Sequence, residues 1–206
     1  MSNPVYTIGH SSHSIEKLIE LLAMHGISAA GDVRSQPFSR LHPQFNRDQL
    51  EPALKKAGIA YVFLGRELGA RTEDRSCYVG GKVQYDRLAK TPLFQEGLAR
   101  VAQGAARRRL TLLCAEKDPL TCHRAILVCR HLTTLGVPSQ HILADGSIET
   151  HEQAIVRLIA EVGLPESDLF RTREQIIADA YDRRGSVIAY TETQAALQES
   201  AGGMPG

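Results

Sequence analysis

Residues 109–131 read Arg-Leu-Thr-Leu-Leu-Cys-Ala-Glu-Lys-Asp-Pro-Leu-Thr-Cys-His-Arg-Ala-Ile-Leu-Val-Cys-Arg-His, and their reading decides the fold. Leu110 to Cys114 is a short apolar run without a polar helical face, which predicts a strand. From Ala125 onward Ile126, Leu127, Val128, Leu132 and Leu135 recur at helical spacing. Between the two, Asp118 and Pro119 signal a turn, and Thr121 is placed to cap the helix. Cys114, Glu116, Cys122, His123 and Arg124 therefore gather at one strand-to-helix junction. In an open α/β sheet such a junction lies at the carboxyl edge of the strands, where ligands bind. The helix N-terminus adds free N–H groups and a partial positive charge.

The same alternation extends in both directions. Val5 to Ile8 is a β-rich run ending in Gly9-His10-Ser11-Ser12, followed by helical spacing through Ile15, Leu18, Ile19 and Leu22 that Gly26 closes. Ile27 to Val33 predicts a second strand with Asp32 and Arg34 at its end, and the polar segment Ser35 to Asn46 then reads as a loop over the site. A short helix from about Arg47 to Lys56 and a strand from Ile59 to Leu64 follow. The charged residues 66–83 read as a long, mobile excursion, and Tyr85 to Ala105 as one helix. Arg107 to Arg109 reads as a solvated helix C-terminus complementing the dipole, with a nucleic-acid contact as the alternative. Pro138 to Leu143 predicts a fifth strand carrying His141, and Glu149 to Val162 a further helix. The fold expected is α/β and Rossmann-like, a mainly parallel sheet with helices on both faces, over residues 1–164. Residues 165–192 then form a helical appendage packed through Phe170, Ile176, Ile177 and Tyr181, and residues 193–206 a flexible tail.

Composition limits the function classes. With 24 Lys and Arg against 23 Asp and Glu the net charge is +1, so bulk charge does not draw the chain to nucleic acid or membrane. No run approaches the roughly 18 apolar residues of a membrane span, and no leader pattern precedes the first strand, so a cytoplasmic protein is expected. Four cysteines, Cys77, Cys114, Cys122 and Cys129, are too few for a disulfide framework and suit free thiols. There is no Walker loop, dinucleotide fingerprint, Cys-x-x-Cys pair or Gly-x-Ser-x-Gly elbow.

What remains is convergence. His10, Ser11 and Ser12, then Asp32 and Arg34, then Arg66, then Cys114 and Glu116 follow successive strands, and parallel strands bring such ends to one edge. Cys122, in the first helical turn beside His123 and Arg124, is a candidate thiolate. A zinc site from Cys114, Cys122 and His123 with His10 or His141 is the competing use of these groups. Its spacing matches no standard motif, and adjacent residues seldom point at one metal, so no metal and no cofactor is assigned.

Thr7-Ile-Gly-His-Ser11, Asp32-Val-Arg34 with Pro37, Ser39 and Arg40, Pro43 with Phe45, Gly58-Ile-x-Tyr61, Leu68-Gly69 and above all Leu113-Cys-Ala-Glu-x-x-Pro119-x-x-Cys-His-Arg124 carry a resemblance. From about residue 5 to 190 the chain resembles the bacterial and archaeal family called domain of unknown function 488. The resemblance implies a Rossmann-like α/β domain and assigns no reaction. Its motif residues fall here on His10, Ser11, Asp32, Arg34, Ser39, Arg40, Cys114, Glu116, Cys122, His123 and Arg124.

The function expected is an enzyme that binds a phosphorylated small molecule, a nucleotide or a nucleic-acid end. Its anion would lie on the helix tip between Arg34, Arg40 and Arg124, with Glu116 and Asp32 as acid and base, His10 as proton carrier and Cys122 as a reactive thiol. Two alternatives stay open. One is a non-catalytic sensor in which Cys114 and Cys122 respond to oxidation or metal; the other is an interaction scaffold working through the face around Phe170 and Tyr181.

Overall fold

The computed structural model describes residues 3–192, and the tail expected over 193–206 lies outside the described residues. Strand β1 (Val5–Gly9) leads into helix α1 (Ile15–Met24), whose N-cap Ser14 accepts the Lys17 N–H at 3.2 Å. Next come β2 (Ala29–Asp32), α2 (Arg47–Lys56), β3 (Ala60–Phe63) and the single turn α3 (Gly65–Leu68). The strands β4 (Tyr78–Val79) and β5 (Lys82–Val83) pair antiparallel around Gly80 and Gly81, at φ +56° and +76°, the left-handed values a tight two-residue hairpin requires. The expected excursion 66–83 is therefore built of short regular pieces.

Helices α4 (Tyr85–Leu88) and α5 (Pro92–Arg107) replace the one helix expected over 85–105. The break falls where Thr91 caps a new start and Pro92, lacking an N–H, takes a first-turn position. Strand β6 (Leu110–Cys114) is followed by a 3-10 turn (Pro119–Thr121), a π-helical segment (Arg124–Cys129) and α6 (Arg130–Thr134). Then come β7 (Ser139–Ile142), β8 (Ile148–Thr150), α7 (His151–Glu161) and α8 (Arg173–Ile188), the last two begun by capping boxes at Thr150/Gln153 and Thr172/Gln175.

Six strands form one sheet in the order β3-β2-β6-β1-β7-β8, all parallel except β8, which folds back antiparallel on β7. That edge strand was not legible as a strand because it is only three residues long. Side chains alternate across β6. Leu110, Leu112 and Cys114 face a core with Phe94 and Leu98 of α5, whereas Leu113 faces one with Leu18 and Leu22 of α1 and Leu50 and Leu54 of α2. The α/β fold with helices on both faces thus stands.

The connections after β1 and β2 run over the α1/α2 face, while the connection after β6, which lies between them, runs over the other. The end of β6 is consequently the point where the chain changes direction, the place at which open α/β sheets leave a crevice. Helix α8 packs through Ile176, Ala180 and Tyr181 onto Leu120, Ile126 and Leu158. Phe170, expected among those contacts, is instead 93% exposed. No helix among the described residues is long and apolar enough to cross a membrane.

Candidate functional site

Parallel pairing levels the strand ends: Gly9 sits opposite Cys114, and Asp32 opposite Leu113. The ladder continues past them, with His10 N–H on the Cys114 carbonyl at 2.9 Å, Ser11 N–H on that of Ala115 at 2.8 Å and Val33 N–H on that of Leu113 at 3.0 Å. The loop leaving β6 therefore crosses directly over β1. A Cβ on Gly9 would lie 1.7 Å from the Glu116 carbonyl oxygen, so only glycine fits there. Arg124 and Arg157 stake the loop down. Fully buried Arg124 donates to the Glu116 carbonyl at 2.6 Å, the Lys117 carbonyl at 3.2 Å and Thr7 Oγ1 at 3.4 Å. Arg157 forks onto Asp118 at 2.8 and 2.9 Å.

Over this edge lies a cavity of about 410 Å³ whose wall includes Arg34, Arg71, Glu116, Cys122, His123 and Tyr190. Asp32 is sealed beneath it. Its two oxygens accept from Arg34 N, Nε and Nη2 at 3.1, 2.9 and 2.6 Å and from the Tyr61 hydroxyl at 2.9 Å. Arg34 also donates from Nη1 to His10 Nε2 at 3.2 Å. Of the five guanidinium N–H groups three are so committed, leaving one on each terminal nitrogen to face the cavity. His10 donates from Nδ1 to the Ser11 carbonyl at 3.0 Å and stacks on Phe45, ring centres 4.2 Å apart. Burial lowers its pKa to about 4, so the ring is neutral near pH 7 and orients Arg34.

At the other wall the sulfur and imidazole groups converge. Cys122, not Thr121, precedes the helical turn. It is extended at φ −132°, its carbonyl accepts the Ala125 and Ile126 N–H groups, and its Sγ accepts the Arg124 N–H at 3.4 Å. His123 donates from Nε2 to the Val33 carbonyl at 3.0 Å, which leaves Nδ1 facing Cys114 Sγ and Cys122 Sγ, each 3.8 Å away. Contrary to the spacing argument, Cys114, Cys122 and His123 bring their ligand atoms within 4.8 Å of one another. His10 and His141 are not part of this group: His141 lies under β1 between Thr7 at 2.8 Å and His151 at 3.0 Å.

Electrostatics separates the two thiols. Burial opposes ionisation of Cys122, but the Cys114 thiol, the Arg124 charge and His123 more than offset it and hold it well below the ordinary thiol range. Cys114 is pushed up by burial and by its neighbour Cys122. Glu116, which accepts from Cys114 Sγ at 3.0 Å, is raised by burial and by Cys122, and His123 is raised because Cys122, Glu116 and the Val33 carbonyl together outweigh its burial. Burial opposes the charge on Arg124, and its neighbours Cys122, Cys114 and Glu116 more than offset that burial.

A family model described as Domain of unknown function DUF488 matches residues 14–130, more than half of the chain. The chain belongs to the DUF488 family. The matched region holds every residue of the expected site except His10 and Ser11, which the DUF488 match leaves out and the sheet ladder brings back beside Cys114. No curated protein and no solved structure matches the chain.

The expected residues divide into three groups. Arg34, Cys114, Glu116, Cys122 and His123 share the cavity wall. His10, Asp32 and Arg124 stand behind it and fix its shape, so Arg124 is not the anion clamp expected of it. Ser11, at φ +49°, forms the turn after β1; Ser39 caps its own loop by accepting the His42 N–H at 3.1 Å; Arg40 is exposed. Neither Ser39 nor Arg40, nor exposed Arg66, reaches the cavity. Sequence reasoning missed Arg71, Ser35, Gln36, Tyr85 and Tyr190. Arg71 hangs from Ser35 Oγ by its N–H at 2.9 Å, donates to Gln36 Oε1 at 2.9 Å and lies 4.5 Å over the Tyr190 ring. Its only signal was its place two residues after Gly69.

Proposed function

We propose that this protein is an enzyme that binds a phosphate-bearing small molecule, in class a nucleotide or a nucleic-acid end, and performs hydrolysis or group transfer on it. The observation that carries this reading is the sharing of one cavity by two kinds of group. On one wall Arg34 and Arg71, with Ser35 and Gln36, present guanidinium and amide or hydroxyl donors; on the other stand Glu116, Cys122 and His123. Guanidinium forks match phosphate oxygens, and a fork held rigid by a buried carboxylate loses little entropy on binding. Glu116 is the acid/base group, because it is the carboxylate of the cavity wall. Asp32 and His10 are positioning residues that act through Arg34.

The test separates binding from chemistry. Glu116→Gln keeps both arginines and should bind phosphate compounds as the wild type does while losing turnover by about 10²–10⁴-fold. Unchanged turnover would remove Glu116 from the reaction. A sensor reading also draws support from the low-lying Cys122 thiol. It predicts a reversible, thiol-dependent change in conformation without turnover, one that Glu116→Gln leaves intact.

A further inference from the structure

We infer that Cys114, Cys122 and His123 form a metal site for a divalent ion of the zinc class, with its fourth position open to the cavity. This rests on the cavity being a reaction site, and it names what would activate the attacking group there. The two nitrogen–sulfur distances suit a tetrahedral face. With Zn–S near 2.3 Å and Zn–N near 2.0–2.1 Å, a sulfur and a nitrogen on one tetrahedron stand about 3.6 Å apart and two sulfurs about 3.8 Å. His123 Nδ1 lies 3.8 Å from each sulfur, and all three atoms fall within 4.8 Å of one another.

Each ligand is also held as metal ligands are. The His123 ring is fixed by donation from Nε2 to the Val33 carbonyl at 3.0 Å, which sets the tautomer that turns the Nδ1 lone pair toward the thiols. Cys122 Sγ accepts a backbone N–H from Arg124 at 3.4 Å. Cys114 is the last residue of β6, rigid in the middle of the sheet. Binding would release two protons to solvent, one from the Cys114 thiol and one held by the Cys122–His123 pair, giving two thiolates and one neutral imidazole around the ion. Buried Arg124 beside them supplies a fixed positive charge that favours the thiolate forms.

Glu116 stands next to the set without joining it. Its Oε2 is 3.0 Å from Cys114 Sγ, and it lines the same cavity. A water in the fourth position could give a proton to Glu116 and attack an electrophilic centre held by Arg34 and Arg71; the new bond to oxygen replaces the bond to the leaving group, which departs carrying the proton returned by Glu116. Two thiolates, one imidazole and a non-ligating glutamate is a donor set with which zinc enzymes activate water against a nucleobase. Three protein ligands and an open position mark a catalytic rather than a structural site.

The experiment uses the full chain, stripped with a chelator under reducing conditions and titrated with cobalt(II). One equivalent should produce the thiolate-to-cobalt charge-transfer band and the visible bands of a tetrahedral ion. Glu116→Gln and Cys129→Ser should keep both, whereas Cys114→Ser, Cys122→Ser and His123→Ala should lose them. As a check that needs no variant, one equivalent of zinc should slow alkylation of Cys114 and Cys122 in the wild-type protein at least tenfold. Absence of a thiolate-to-cobalt band, or alkylation at the same rate with zinc, overturns the inference. If cobalt fails to bind while phosphate compounds still raise the melting temperature, the metal site falls and the phosphate pocket stands. If cobalt binds and no phosphate compound does, the reverse holds.

Discussion

Replacing Asp32 by alanine should be among the most damaging single changes available in this protein, and the reason lies with Arg34. The carboxylate is fully buried and accepts three N–H groups of Arg34 and the Tyr61 hydroxyl; Arg34 itself is 7% exposed. Removing the carboxylate leaves a largely buried guanidinium with no counter-charge, a situation that costs about 3–5 kcal/mol. That is a large share of the roughly 5–15 kcal/mol by which domains of this kind are stable. Arg34→Met should cost a similar amount by stranding Asp32. The double variant Asp32→Ala/Arg34→Met removes both charges together and should lie within about 2 kcal/mol of wild type, because no buried charge is then left unpaired. Urea unfolding followed by circular dichroism yields the three differences, and the cycle should show a coupling of about 3 kcal/mol or more. The double variant should fold and fail to bind phosphate. If Asp32→Ala costs less than about 1 kcal/mol, or the two changes simply add, the pair is not the sealed support for the cavity wall described above.

Acid should weaken the fold in a defined window. Burial lowers the pKa of His10 and His151 to about 4 and that of His141 well below its ordinary 6.5. The unfolded chain therefore binds protons near pH 6.5 that the folded chain refuses, so stability is full above that pH and falls as pH drops toward 4. The loss approaches about 3 kcal/mol each for His10 and His151. Urea midpoints that stay level from pH 7 to pH 4.5 would contradict this. Gly9→Ala should cost about 1–3 kcal/mol or more by driving a methyl against the Glu116 carbonyl 1.7 Å away. It should also displace Glu116 from the cavity, so retention of both stability and turnover would show that the loop crosses β1 less tightly.

Much of this was legible in the sequence where independent local signals agree. The strand-turn-helix reading of 110–135 held because apolar runs, a Pro-containing turn and helical spacing agree there, and the same junction brings Cys114, Glu116, Cys122 and His123 to one cavity wall. Reading stopped where tertiary contact decides. Arg124 looks like an anion ligand in sequence, but the crossing of β1 by the loop after β6 turns it onto the Glu116 and Lys117 carbonyls. Asp32 and His10 look like acid/base groups until Arg34 is seen lying across both. The approach of Cys122 to His123 was discounted because Cys122 was placed in the helix; it precedes the helix instead, so its sulfur points back toward its neighbour's ring. Tyr190 was out of reach altogether. It lies beyond α8 and is carried to the wall by backbone pairing with the β4–β5 hairpin, its carbonyl on the Val83 N–H and the Glu192 N–H on the Gly81 carbonyl, each at 3.0 Å.

The central claim, a single cavity that holds phosphate on Arg34 and Arg71 beside Glu116, Cys122 and His123, is tested most directly by melting the protein against a panel of nucleoside phosphates, sugar phosphates and inorganic phosphate. A ligand at about 100 times its dissociation constant adds about 2.7 kcal/mol, which for a chain of this size is a rise of about 5–10 °C. Exposed Arg71 can be changed to methionine at little structural cost. The account predicts that at least one phosphate compound raises the melting temperature of wild type and Glu116→Gln alike, and that Arg71→Met loses most of that rise. No response to any phosphate compound, or a response that Arg71→Met leaves whole, would contradict it.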